Sequence, residues 1–364
     1  MADGDKKRIV VFLPNPVGDV VMATPTLQAL REHFATAHIA HVGHEAALDV
    51  LSPNRWADGT ILDHSRLRPR ATNFFRLAER LRQGRFGVGL LLPNSFRAAA
   101  LARTGGVKRV VGYARDARGW LLTDGQPPPR DEQGRLVPIP AIDYYLELAR
   151  MVGVPADKLR SKMSLDVGEA DQAAADEELR RCSVDPGRPL VMLNPGAAFG
   201  PSKMWDPERF AAAADALIER CGAQIIINAA PTERGVAAAV AEAMAHKPAL
   251  NFAERDNTLR LLKGLMRRCA LLITNDTGAR HIAAALGISV VTLFGSTDQR
   301  WTEIGYKRER IISVDVDCAP CQSRVCPLPA GPSYHQCMGR ITPEMVVEAA
   351  MVFLSRPASV GAAI

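Results

Sequence analysis

The stretch Arg8-Ile9-Val10-Val11-Phe12-Leu13-Pro14-Asn15-Pro16-Val17-Gly18-Asp19 decides how this chain folds. Residues 8–13 form a short, β-branched run of the kind that makes a strand buried on both faces. Two prolines and Gly18 then turn the chain, and from Asp19 to Phe34 apolar residues recur with helical spacing: Ala23, Leu27, Leu30 and Phe34 share one face. Strand, tight loop and amphipathic helix in that order is one half of a βαβ unit.

The same alternation continues through the first 150 residues. His38–Val42, Thr60–Leu62 and Val88–Leu92 read as strands, and Glu45–Leu51, Asn73–Arg82 and Ile142–Val152 as helices. A second series follows a hydrophilic connector (Pro155 to Gly187) that holds one amphipathic helix near Glu169–Cys182. In that series Leu190–Leu193, Gln224–Asn228, Leu271–Thr274 and Ser289–Phe294 are strands. Asp206-Pro207 supplies an N-cap and a first-turn proline for a helix ending near Gly222, and Thr342-Pro343 starts a last helix through Leu354. The expected fold is α/β: two doubly wound, Rossmann-like domains, each a parallel sheet covered by helices, facing across a cleft. The boundaries fall at 1–163 and 164–364, with the last helix, 342–355, a candidate to pack back on the first domain.

Composition narrows the function classes. The chain has 364 residues, 47% hydrophobic and 23% charged, which is a globular composition long enough for two cores. The N-terminus lacks the long apolar stretch and cleavage site of a secretory signal, and the longest apolar run, Ile282 to Phe294, is broken by Gly287 and too short to span a bilayer. A cytoplasmic location with reduced cysteines is expected. The net charge of +6 is unevenly spread: residues 1–163 hold 24 Lys and Arg against 16 Asp and Glu, and the remainder 21 against 23. Between Arg66 and Arg118, 13 basic residues face only Glu79 and Asp116. Such a run is either a solvated surface or a field for an anionic partner. No nucleic-acid motif accompanies it, so a phosphorylated or carboxylated substrate is the expected partner, with Arg66, Arg68, Arg97 and Arg115 as candidate contacts.

Three strand-to-helix loops carry chemistry. Pro14 to Asp19 lies where a dinucleotide enzyme would show G-x-G-x-x-G, but only Gly18 is present, which disfavours a nicotinamide oxidoreductase. Asp19 at the helix start reads as a first-turn acid or as a general base for an acceptor hydroxyl. Asn194 to Trp205 is rich in Gly and Pro and contains Lys203, either a surface lysine or a point charge for phosphate. Thr274-Asn275-Asp276-Thr277-Gly278-Ala279-Arg280-His281 brings small residues and a glycine to a helix start, whose N–H groups suit a phosphate. Between them Ala229-Ala230-Pro231-Thr232-Glu233 ends a strand and can offer Glu233 to ribose hydroxyls.

Taken in order, Val17-Gly18-Asp19, Pro195-Gly196 with Gly200 and Lys203-Met204-Trp205, and Asn275-Asp276-Thr277-Gly278 with His281 resemble the ADP-heptose:lipopolysaccharide heptosyltransferase family. The match spans nearly the whole chain, and Phe199 to Lys203 is most similar to its heptosyltransferase II branch. The resemblance implies a GT-B architecture and an inverting transfer of heptose from ADP-L-glycero-D-manno-heptose to the anionic lipopolysaccharide inner core, with no cofactor required. It also implies Asp19 as the base and Lys203 as a catalytic phosphate ligand. Gly196, Ser202, Lys203, Glu233, Asp276, Thr277, Gly278 and His281 become the donor-binding set, and peripheral contact with the inner membrane face follows from the acceptor. Met204, Ala230 and Ala198 depart from the family pattern, which keeps open heptosyltransferase I, another GT-B transferase or a GT-B nucleotide-sugar epimerase. A nucleotide-binding regulatory module without turnover is the rival from outside enzymology.

Two features concern metals. Cys318, Cys321, Cys326 and Cys337, near His335, form a C-x2-C pair followed by two more cysteines, read either as a structural zinc site or as reduced packing residues. Cys182, Cys221 and Cys269 read as core residues. The Asp-x-Asp triplets at Asp3–Asp5 and Asp315–Asp317 lie outside the three loops, so lysine and helix-start groups are the expected partners of the leaving diphosphate.

Overall fold

Ile9, Val10 and Val11 are wholly shielded from solvent, which is why their β-branched run forms the centre of a sheet rather than an edge. The computed structural model describes residues 7–355, so the Asp3–Asp5 triplet lies outside the described residues. The chain divides into two compact units, one comprising residues through Asp166 together with Arg300–Ile304, the other Val167–Gln299 and the residues from Gly305 on.

In the first unit the elements run β1 (Arg8–Phe12), α1 (Val17–Met22), α2 (Thr24–His33), β2 (His38–Gly43), α3 (Glu45–Leu51), β3 (Gly59–Leu62), α4 (Arg70–Gln83), β4 (Val88–Leu91), α5 (Phe96–Thr104), β5 (Arg109–Tyr113), β6 (Asp124–Gln126) and α6 (Ala141–Met151). The helix expected over 19–34 is two helices. Pro25 in the first turn of α2 brings no N–H to continue the preceding turn, and the chain re-enters helix at Thr24, whose hydroxyl donates to the Val21 carbonyl at 2.7 Å. The sheet is parallel throughout, in the order β3-β2-β1-β4-β5-β6. Val10, Phe12, Val42 and Leu91 on one face pack against Leu77 and Leu81 of α4 and Leu101 of α5.

The second unit contains α7 (Glu169–Arg181), β7 (Leu190–Asn194), α8 (Pro207–Cys221), β8 (Gln224–Ile227), α9 (Arg234–Ala243), β9 (Leu250–Asn251), α10 (Leu259–Arg268), β10 (Leu271–Asn275), α11 (Gly278–Ala285), β11 (Ser289–Phe294), β12 (Glu309–Ser313), α12 (Gln336–Gly339) and α13 (Pro343–Leu354). Its strands are ordered β12-β11-β10-β7-β8-β9, again all parallel. Counted from the first strand of each unit, both sheets have the Rossmann order 3-2-1-4-5-6. α8 closes as its sequence indicates, with Gly222 left-handed at φ 64°, although Asp206 at its N-cap makes no side-chain capping bond. α13 packs on α8, β10, β11 and β12 of its own unit.

In a doubly wound sheet, ligands bind beyond the strand C-termini where the order reverses. That point lies between β1 and β4 in the first unit and between β7 and β10 in the second. The loops after β1, β7 and β10 are the three that the sequence marks out.

Candidate active site

In the second unit the site is built on asparagines. Asn194, the last residue of β7, donates through Nδ2 to Thr274 Oγ1 at 3.3 Å and Thr277 Oγ1 at 3.2 Å, and its Oδ1 accepts from Asn228 at 2.7 Å. Asn275, the last residue of β10, donates to the Pro195 carbonyl at 2.7 Å and accepts from the Trp205 N–H at 3.2 Å. These bonds fix the loops after β7, β8 and β10 to one another. Trp205 is fully buried, with its indole N–H on the Ile341 carbonyl at 3.0 Å, and anchors the end of the Lys203 loop.

Lys203 lies beside Asp276. Its ammonium forms an ion pair with Asp276 Oδ2 and donates to the Asp276 carbonyl at 3.2 Å, with the Phe199 ring 4.9 Å away. Thr297 donates to the same carboxylate oxygen at 3.0 Å, and Arg280 approaches the other at 3.6 Å while holding Glu309 at 2.6 and 3.0 Å. Burial pushes the Asp276 carboxyl upward, but Lys203 and Arg280 outweigh it and the group sits below the usual carboxylate range. His281 is buried, and its pKa falls to about 3 through burial and then the Arg280 cation, so the ring is neutral. Its Nδ1 has no hydrogen-bond partner among the described residues. Two of the three ammonium hydrogens of Lys203 are accounted for by Asp276, which leaves one for a ligand.

α11 begins at Gly278 without a side-chain cap, because the Thr277 hydroxyl faces Asn194 and Thr274 instead. The first-turn N–H groups therefore keep the capacity of a helix start for an anion. Glu233 lies against Gly196: a Cβ at Gly196 would fall 2.2 Å from the Glu233 carboxyl carbon, so only glycine lets this carboxylate lie there. Burial raises the Glu233 pKa, partly offset by the Ala230 N–H at 3.5 Å.

Ser202 departs from its expected role as a donor contact. It is buried, and its hydroxyl is spent on Ser296 at 3.0 Å and on the Ser323 carbonyl. With its N–H on the Arg324 carbonyl at 3.1 Å and its own carbonyl facing His335 Nε2 at 3.0 Å, Ser202 fastens the Lys203 loop to the cysteine-containing segment. Gly200 permits that approach: it has φ 150°, and a Cβ there would lie 2.4 Å from the Arg324 carbonyl oxygen. All seven cysteines are free thiols. Cys318, Cys321, Cys326 and Cys337 line one small, mostly apolar cavity with His335, but among the described residues no group of three or more His, Cys, Asp or Glu side chains is placed to hold a metal ion. Of the other three, Cys269 is buried as expected, whereas Cys182 and Cys221 are only half-buried at helix ends.

In the first unit Asp19 occupies the first turn of α1, half-buried. α6 packs on α1 and α2 and brings the buried Tyr145 near it; burial, and then the Asp19 charge, push the Tyr145 hydroxyl well above the usual phenol range. A pocket opens over the ends of β1, β2 and β4, and its polar lining includes Asn15, His44, Asp63, Arg66, Ser95 and Arg97. Arg97 is held by Asp63 at 2.8 and 3.3 Å, and Asp63 also accepts from the Ser65 N–H at 2.8 Å. Of the four arginines expected to meet the acceptor, Arg66 and Arg97 line this pocket, whereas Arg68 and Arg115 do not.

From the sequence Arg118 is only the last basic residue of the 66–118 run, with nothing to mark it as buried. It is 0% exposed and makes no ion pair among the described residues. Its guanidinium donates to the carbonyls of Tyr113 at 3.0 Å, Ser95 at 3.3 Å and Pro93, and to Asn94 Oδ1 at 3.2 Å. Asn94 Oδ1 also accepts from the Tyr144 hydroxyl at 3.1 Å, and Tyr144 stacks on Tyr113 with centroids 3.7 Å apart. Burial lowers the Arg118 pKa to about 10, which still leaves it charged. A buried cation thus organises the loop after β4 that walls the pocket.

Residues 74–330 match glycosyltransferase family 9 (heptosyltransferase). A lipooligosaccharide heptosyltransferase 2 of Haemophilus influenzae is 27% identical over 357 residues, covering 93% of this chain and 97% of that protein. Among solved structures, Escherichia coli ADP-heptose lps heptosyltransferase II superposes with a TM-score of 0.77 at 24% identity, covering 96% of this chain and 98% of the other. A family 9 glycosyl transferase from Veillonella parvula superposes with a TM-score of 0.81 at 24% identity, covering 97% and 99%. The ordered loops, the paired Rossmann sheets and a family match covering more than half of the sequence make this chain a member of glycosyltransferase family 9, the heptosyltransferases.

Proposed function

We propose that the protein is an inverting heptosyltransferase of the heptosyltransferase II type. In this reading it moves a heptose from ADP-L-glycero-D-manno-heptose onto an anionic lipopolysaccharide inner-core acceptor at the cytoplasmic membrane face. The observation that carries the reading is the Lys203–Asp276 ion pair beside the uncapped start of α11, at the reversal point of the second sheet. It supplies a fixed ammonium and backbone N–H groups for a diphosphate, held by the asparagine network before any ligand arrives.

The roles follow from the chemistry. Asp19 accepts the proton of the acceptor hydroxyl as that oxygen bonds to the anomeric carbon. The bond from the anomeric carbon to the β-phosphate oxygen breaks on the opposite face, and ADP leaves with the electron pair. Lys203 and the Thr277-Gly278 helix start take up the negative charge that develops on the leaving oxygen. Glu233 beside Gly196 receives ribose hydroxyls, and neutral His281 offers Nδ1 to a sugar hydroxyl. Arg66 and Arg97 hold acceptor anions, Arg97 fixed by Asp63.

The test is an assay of purified protein with ADP-heptose and a core acceptor carrying a single heptose, following ADP release and acceptor mass. Equal formation of ADP and heptosylated acceptor is expected. Transfer only to a heptose-free core would point to heptosyltransferase I chemistry, and free sugar released without acceptor to an epimerase.

A further inference from the structure

We propose that Asn257, the outer end of a ladder of side-chain amides along the carboxyl edge of the second sheet, selects the nucleobase by accepting a hydrogen bond from the exocyclic amino group of adenine. The proposal rests on the preceding reading in taking the diphosphate to lie at Lys203 and the ribose at Glu233.

The ladder crosses three adjacent strands. Asn194 ends β7, Asn228 follows β8, and Asn257 lies between β9 and α10. Asn257 donates through Nδ2 to Asn228 Oδ1 at 2.7 Å, and Asn228 donates in the same sense to Asn194. One hydroxyl fixes the direction of all three amides. Thr274 Oγ1 donates at 2.7 Å to the Asn275 carbonyl, which can only accept, so Thr274 must receive from the Asn194 group that faces it. That group is therefore the NH2. Asn194 turns its oxygen to Asn228, and each amide in turn presents its oxygen one strand further out. The last of these, Asn257 Oδ1, is buried and has no hydrogen-bond partner among the described residues. A buried carbonyl oxygen without a donor carries a desolvation cost that a ligand N–H removes.

The place of that oxygen names its partner. Thr277 and Lys203 follow β10 and β7, Glu233 follows β8, and Asn257 follows β9, so the groups run outward across the sheet in the order of diphosphate, ribose and base. Asn257 is held on both sides. Its neighbour Thr258 caps α10 by accepting from the Leu261 N–H at 3.1 Å, and the Asn251 side chain accepts from the Ala253 N–H at 2.9 Å where the chain leaves β9. The adjoining loop supplies a complement: Arg234 Nε, next to Glu233, is buried and likewise has no partner among the described residues. An acceptor and a donor on adjoining loops suit an amino group beside a ring nitrogen, which is the edge of adenine. A 6-oxo purine would instead turn a carbonyl oxygen towards the Asn257 oxygen. Arg234 and Asp256 join the two loops by an ion pair whose side chains are 37% and 77% exposed. Such exposed pairs hold little free energy, so the loops can part to admit a base.

The experiment titrates the full chain calorimetrically with ADP and with IDP, which differ in the 6-amino group, and uses no acceptor. Wild type is expected to bind ADP about tenfold or more tightly than IDP. Asn257→Ala should bring the two affinities to within about twofold by weakening ADP and leaving IDP nearly unchanged. Lys203→Ala should weaken both nucleotides alike, since it acts on the diphosphate they share. Tm and circular dichroism verify that the Asn257 variant is folded. If it is not, wild type is titrated with the diphosphate of unsubstituted purine riboside, which should bind more weakly than ADP. Equal wild-type affinity for ADP and IDP, an unchanged ratio in folded Asn257→Ala, or unsubstituted purine binding as tightly as ADP overturns the proposal and leaves the donor reading standing. Failure of both nucleotides to bind overturns the two together.

Discussion

In the proposed mechanism Asp19 is the base and Lys203 the phosphate ligand, and a substitution at each tests its role at the scale of single residues. Asp19→Asn keeps the size of the side chain and loses its basicity, so kcat should fall by on the order of 10²–10⁴ while donor affinity is retained. Near-normal turnover in single-turnover assays would remove Asp19 from the mechanism. Lys203→Ala deletes a preorganised cation and should cost roughly 2–4 kcal/mol of transition-state stabilisation. It also leaves the buried Asp276 with only the Thr297 hydroxyl and the more distant Arg280 cation named above, so its Tm must be measured alongside kcat/KM. Lys203→Arg should recover only part of the rate, because a planar fork cannot reproduce two bonds to Asp276 and one to a phosphate from a single nitrogen. Both residues were legible as strand-to-helix loop residues. That Asp276 is the partner of Lys203 was not, since the two are far apart in sequence and meet only through the β7–β10 pairing.

Among the elements, the loop after β4 shows what tertiary context adds. Its conformation depends on a guanidinium that enters from the turn after β5 and satisfies three carbonyls. Arg118→Met should therefore destabilise the protein by about 1–3 kcal/mol for each carbonyl left without a donor. It should also raise the acceptor KM while leaving the donor KM close to wild type, because the second unit is untouched. Thermal melts and separate substrate titrations check both, and equal losses for donor and acceptor would show a global effect instead. Sequence periodicity missed α5, β5, β6, α9 and α10 for identifiable reasons. β6 reads Asp124-Gly125-Gln126, which has no apolar pattern, and it is a strand because β5 offers it an edge. α10 carries Lys263 and Gly264 on its buried side, residues that weaken any helical signal read from hydrophobicity alone.

For the whole molecule, acid sensitivity follows from two buried imidazoles, one in each unit. His41 and His281 are both held neutral, with pKa values lowered from 6.5 to about 3, chiefly by burial. The unfolded chain binds protons on these groups before the folded one does. Stability present above the ordinary imidazole value is therefore lost progressively as pH falls from 6.5 towards about 3. A plot of Tm against pH should slope downward well before the carboxylates titrate, and His41→Asn should make that slope shallower. An unchanged slope in the variant would assign the acid loss elsewhere. Asp276 and Asp63, held below the usual carboxylate range, add their losses only at lower pH.

The strand-loop-helix pattern beginning at Arg8 and repeated after Pro186 determined by itself that the chain forms two doubly wound sheets. It also placed Asp19, Lys203 and the Thr277-Gly278 helix start in the loops that follow β1, β7 and β10. Those features are local, because strand burial, proline placement and helix starts are set by residues within a few positions of one another. Tertiary structure decided the rest. It turned Ser202 from a ligand contact into a fastener, made Asn194 and Asn275 the joints of the site, separated Arg66 and Arg97 from Arg68 and Arg115, and buried Arg118 as a cation. These outcomes depend on parallel register, which brings residues some 80 positions apart, such as Asn194 and Thr274, within hydrogen-bond reach. No periodicity along the chain encodes such a meeting; it exists only once both sheets have closed around their cores.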